Sequence, residues 1–132
     1  MPTTNEEIDD VIEELKWGHP ETRKKAVIKL GRIRDKRVIP HLIDTLKNDE
    51  YPYTRVSAIQ SLLWIADPSI TEAILHIAET DIDGLVRKTA VEALGSLKNK
   101  SVIPRLNRLI QLEKDENIKN IAIKAIQIIE RG

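Results

Sequence analysis

A basic residue recurs at an interval of 32 along this chain: Arg23, Arg55, Arg87 and Lys119. Its surroundings recur with it. The four copies read TRKKAVIKLG from Thr22, TRVSAIQSLL from Thr54, VRKTAVEALG from Val86 and IKNIAIKAIQ from Ile118. A fixed interval of this length means one supersecondary unit, unable to bury its apolar face alone, stacked on its own copies. Each copy then carries a small slot (Ala26, Ala58, Ala90, Ala122), a branched slot (Val27, Ile59, Val91, Ile123) and a third apolar slot (Leu30, Leu62, Leu94, Ile126). Apolar positions three and four apart define one face of a helix. An alanine held in register predicts that these helices stack closely through it.

The punctuation repeats as well. Gly31 and Gly95 follow the apolar slots, where a helix C-cap uses positive φ, and Leu63 takes that slot in the second copy. Asp35, Asp67 and Asn99 are placed to cap a second helix, and Pro40 and Pro104 fall in its first turn. Those second helices carry Leu42, Ile74 and Leu106, then Leu46, Ala78 and Ile110, as an expected buried ladder. Pro20, Pro52, Gly84 and Glu116 share the slot between copies. The first stretch, about Asn5 to Trp17, is closed by Gly18 and lacks the TR…A signature. Its stripe Ile8, Val11, Ile12 and Leu15 predicts a capping helix. The expected layout is one all-α domain over 1–132: a cap at 1–18, repeats at about 19–50, 51–82 and 83–115, and a half repeat at 116–132. That makes eight helices and no strand.

Composition removes several function classes. There is no Cys, so disulfides, thiolate metal sites and cysteine nucleophiles are excluded. The opening MPTTNEEIDD is acidic, unlike a secretory signal, and no apolar run reaches the ~20 residues of a membrane span. A soluble, cytoplasmic protein with no membrane partner is expected. Lys+Arg and Asp+Glu both total 21, so no global field favours a polyanion. The three histidines precede Pro20, Leu42 and Ile77, giving no His–Glu pair, and neither a G-x-S-x-G nor a glycine-rich phosphate loop occurs. No catalytic, cofactor-binding or metal residue is assigned, and a non-catalytic chain without cofactor is expected.

The pattern V-R-x-x-A-V-x-A-L-G-x-L…V-I-P-x-L in Val86–Leu106, echoed by Gly31 and the VIPHL of Val38–Leu42, resembles the HEAT-like repeat of the phycobilisome lyase type. The resemblance runs from roughly Pro20 to Glu130. It implies a right-handed α-α superhelix, an armadillo-like solenoid whose second helices line a concave face. Proteins similar in this way include bilin lyase subunits, deoxyhypusine hydroxylases, alkylpurine DNA glycosylases and plain adaptor scaffolds, so the resemblance carries the fold and not one activity. The iron-binding His–Glu pairs of the hydroxylases have no counterpart here.

Three surfaces are candidates for partners. On the second helices, His41, Asp44, His76, Ile77, Arg105, Arg108, Leu109 and Leu112 fall in non-core slots. There Ile77, Leu109 and Leu112 can anchor a partner helix while Arg105 and Arg108 read its acidic groups. The competing reading is that twist between repeats buries Ile77 and Leu109. On the last helix, Ile121 and Ile128 replace mostly polar residues seven apart, and no following helix covers Ile118, Ala122 and Ile129; a self-associating apolar end, hence a homodimer, is expected. The stretch Arg23, Lys24, Lys25, Lys29, Arg32, Arg34, Lys36 and Arg37 is the alternative, a nucleic-acid patch. It contains no interleaved aromatic, and the acidic residues of the first helix can neutralise it. Ser57 reads as a surface residue. Arg23, Arg55 and Arg87 themselves read as structural bridges to turns at Asp49 or Asp81, and Trp17, Tyr51 and Tyr53 as packing at repeat junctions.

Overall fold

A computed structural model describes residues 4–132. Eight α-helices make up the described residues, with three short 3-10 turns and no strand: α1 (Asn5–Trp17), α2 (Pro20–Ile33), α3 (Ile39–Asn48), α4 (Pro52–Ile65), α5 (Thr71–Thr80), α6 (Gly84–Leu97), α7 (Ile103–Leu112) and α8 (Glu116–Arg131). The recurring slot Pro20, Pro52, Gly84 and Glu116 is in each case the first residue of a first helix. Proline suits that position because its missing N–H has no partner there anyway. Where no proline stands, an aspartate caps instead: Asp83 accepts from the amides of Leu85 and Val86, and Asp115 from those of Asn117 and Ile118. A capping box between Thr4 and Glu7 starts α1.

The chain divides into two units, Met1–Asp67 and Pro68–Gly132. In the first, α2 packs against α1 and α4, and α3 against α4. In the second, α6 packs against α5 and α8, and α7 against α8. The alanine seam is internal: Ala26, Ala58, Ala90 and Ala122 are all buried. So are Val27, Leu30, Ile59, Leu62, Val91 and Leu94, each removing about 1.5–3 kcal/mol worth of apolar surface from water for a Val, Leu or Ile. Ile123 breaks the series at 42% exposed, and Ile126 and Ile110 are half-buried.

Three local expectations need correction. Gly31 and Gly95 are not left-handed caps. Both lie inside helices, and no glycine has positive φ. A Cβ on Gly31 would lie 2.5 Å from Ser61 Cβ and 2.7 Å from its Cα, so this glycine lets α2 and α4 touch backbone to side chain. Ser61 Oγ donates to the Val27 carbonyl across the same contact at 2.9 Å. Gly95 does the same for α6 against Ala125 of α8, with more room, at 3.3 Å. The left-handed cap falls three residues later, on Arg34, Ala66 and Lys98, again 32 apart. Asp35 and Asn99, moreover, cap the intervening 3-10 turns, accepting from the amides of Arg37 and Ser101. Ser57 is buried rather than on the surface, its hydroxyl donating to the Tyr53 carbonyl one turn back.

Candidate functional site

The recurring arginine builds the frame. Arg23 Nε donates to Asp49 at 2.9 Å and its Nη1 to the Gly18 carbonyl at 3.0 Å. Arg87 repeats this in the second unit, with Nε on Glu113 at 2.9 Å and Nη1 on the Asp81 carbonyl at 3.0 Å. Each arginine thus ties the end of the helix before its own to the turn after the next one. Arg55 is buried and donates to the Asp49 carbonyl at 2.8 Å. Burial pushes the Glu113 carboxyl up, but hydrogen bonds from Arg87 and from the amides of Asp115 and Lys114 outweigh it and hold the group below the usual carboxylate range. The hydrogen bond to Asp49 raises the Arg23 guanidinium above its ordinary value against the opposing effect of burial.

A groove of about 570 Å³ opens beside the second of these bridges, between α5 and α7. Ala78 and Leu109 floor it; Arg105, Arg108, Leu112 and Lys114 stand around it. Its charges are of two kinds. Arg105 is spoken for: Nη1 donates to Glu72 at 2.8 Å and Nη2 to Glu79 at 2.6 Å, bonds that raise its already high pKa, Glu79 contributing most. The side-chain cations of Arg108 and Lys114 have no carboxylate partner among the described residues, and both residues are exposed. Leu112 lies 67% exposed beside them. The expected ladder is therefore corrected in part. Ile77 and Leu109 are 5% exposed and belong to the core, so the twist between helices buries them and they anchor nothing. Arg105 is already paired with Glu72 and Glu79. Arg108 and Leu112 stay available, joined by Lys114, which sequence reasoning missed because it follows α7 in a loop.

His76 is exposed on α5. His41 and Asp44 belong to the first unit, where with Trp17, Arg23, Asn48 and Asp49 they line a groove of about 610 Å³. Trp17 is 80% exposed and Tyr53 68%, so neither packs at a junction; Tyr51 does, its ring 5.8 Å below the Arg23 guanidinium. Among the described residues no three His, Asp or Glu side chains are grouped to hold a metal ion. No helix there is long and apolar enough to cross a membrane.

The sequence model of the family described as HEAT repeats matches residues 8–86 and 39–127, which together span most of the chain. The chain belongs to the HEAT-repeat family. Its fold class is accordingly all-α, of the α-α superhelical repeat type, with eight helices among the described residues. No curated protein matches the sequence.

The remaining candidate residues of this HEAT-repeat chain lie on α2 and the turn after it, and on α8. In the basic stretch, Arg23 serves the Asp49 bridge, Lys36 pairs with Asp67 at 3.3 Å, and Arg37 donates to the Asn5 carbonyl at 2.9 Å with Asp9 at 3.7 Å. Arg32 stacks over Trp64, 5.9 Å from the ring centre. Lys24 is half-buried; Lys25, Lys29 and Arg34 are exposed. At the other end, Ile118, Ala122 and Ile129 are buried rather than uncovered. Ile121 and Ile128 line a shallow groove of about 360 Å³ between α6 and α8, with Lys88, Glu92, Gly95 and Lys124.

Proposed function

We propose that this HEAT-repeat chain is a non-catalytic protein-interaction module. Its groove in the second unit takes an acidic, apolar segment of a partner protein, most simply an amphipathic helix. The observation that carries this reading is the pairing of Leu112, two-thirds exposed, with two side-chain cations, Arg108 and Lys114, that no carboxylate neutralises among the described residues. The neighbouring Arg87 and Arg105 are each neutralised. An apolar anchor flanked by unpaired cations complements a leucine-bearing segment with acidic flanks. A display library of helical peptides selected on the purified chain is expected to enrich such segments, and the combined Arg108→Glu and Leu112→Asp variant to lose them. Enrichment of basic segments, or retention by the variant, would contradict it.

The second reading is nucleic acid, supported by Lys25, Lys29 and Arg34, exposed beside Arg32. Salt-sensitive binding of random DNA or RNA, lost on Lys25→Glu with Lys29→Glu, would favour it. Kinship with the phycobilisome lyase type rests on the Val86–Leu106 pattern, and its test is a bilin absorption band in purified material. A cytoplasmic setting agrees with the Cys-free composition.

A further inference from the structure

One stripe of α8 has been left open where its counterparts are closed. In α2 the stripe begins with Arg23, bridged to Asp49, and continues through Val27 and Leu30, both 0% exposed. In α6 it begins with Arg87, bridged to Glu113, and continues through Val91 and Leu94, both buried. The same slots on α8 are Lys119, Ile123 and Ile126, followed by Glu130. Ile123 is 42% exposed, Ile126 half-buried and Glu130 exposed. Among the described residues Lys119 pairs only with exposed Glu116 on its own helix, at 3.3 Å, a contact worth little in water.

The four residues lie at i, i+4, i+7 and i+11, within an arc of about 60° of the helix. Their order along it is cation, isoleucine, isoleucine, anion. That order is self-complementary. A twofold axis midway between residues 124 and 125 lays a second α8 antiparallel on the first. Ile123 then faces the partner's Ile126 and Ile126 the partner's Ile123. Lys119 meets the partner's Glu130 at one end, and the reverse pair forms at the other. The adjoining Asn120 and Gln127 are uncharged, so no like charges collide. The stripe through Ile121 and Ile128 lacks this order: Lys124 lies between them, and no cation and anion flank the pair symmetrically on α8.

From this we infer that the open face of α8 is a symmetric docking surface for a second copy of the chain. The two copies are held by an Ile123–Ile126 cluster and closed by two Lys119–Glu130 pairs. This face is separate from the α5–α7 groove and does not depend on the binding role assigned to it.

Sedimentation equilibrium of the whole chain at low salt, over about a hundredfold range of concentration, tests the inference. A monomer–dimer equilibrium is expected. Ile123→Lys weakens it by about tenfold or more, and its position near the surface leaves the thermal midpoint close to the parent's. Lys119→Glu and Glu130→Lys each weaken it, while the double exchange restores it to within about threefold of the parent. Ile128→Lys leaves it unchanged. A strict monomer throughout, a dimer indifferent to Ile123→Lys, failure of the double exchange to restore, or growth into larger oligomers would each overturn the inference; a closed twofold stops at two.

Discussion

A single arginine slot does two kinds of work in this chain, and the second is visible only at the carboxylate. The Glu113 side chain is 8% exposed, so Arg87 is the ionic partner that makes its burial tolerable. Arg87→Met removes the bridge and leaves the carboxylate with only its backbone amides, at an expected cost of about 2 kcal/mol at neutral pH. Because the folded-state pKa of Glu113 lies below its unfolded value, the contribution is complete above the ordinary carboxylate range and fades as pH falls through the folded value. Urea unfolding of parent and variant should therefore show the gap narrowing in acid; a gap constant with pH would deny the pairing its role. The glycines make a paired prediction. Gly31→Ala drives a methyl into the Ser61 backbone and should cost about 2 kcal/mol. Gly95→Ala meets Ala125 less tightly, and the gain in helix propensity of about 1 kcal/mol should nearly cancel the squeeze.

At the level of the helix, the ends are where reading the sequence and seeing the fold part company. The interval of 32, the alanine seam and the proline starts were all legible, because each rests on a residue type with one strong physical reason to be there. The left-handed caps were not. They sit on Arg34, Ala66 and Lys98, residues without the freedom that marks such a site, while the glycines that suggest caps serve close packing instead. Ala66 is the clean case, since its N–H already donates to the Leu62 carbonyl and its side chain is exposed. Ala66→Gly should relieve left-handed strain and raise stability by about 0.5–1 kcal/mol in thermal or urea melts; a loss would mean the cap is unstrained. The turns at Asp49 and Asp81 were legible as partners of the arginine slot, but Glu113 was not: it reaches Arg87 as Asp49 reaches Arg23, through a longer side chain.

Across the whole molecule, the charges cancel in number yet segregate in place: residues 1–17 hold one basic against six acidic side chains, and 18–49 nine against four. Folding pairs three members of that basic run, Arg23, Lys36 and Arg37, with Asp49, Asp67 and Asp9, so the patch plain in the sequence is reduced to the exposed Lys25, Lys29, Arg32 and Arg34. The binding face behaves in the opposite way. Its outward slots could be counted from the repeat, but whether Ile77 and Leu109 point out or in depends on helix twist, which periodicity alone does not specify. Arg105 likewise looks available until Glu72 and Glu79 are seen to close on it. What survives is small and specific: Leu112 between Arg108 and Lys114. The most direct measurement is a titration of the isotopically labelled chain with an acidic, leucine-bearing helical peptide, followed by amide chemical shifts. Shifts centred on Ala78, Arg108, Leu109, Leu112 and Lys114, weakened by added salt, are the predicted result. Shifts confined to Lys25–Arg37, or none at peptide concentrations that saturate a weak protein–peptide contact, would contradict the assignment of the groove.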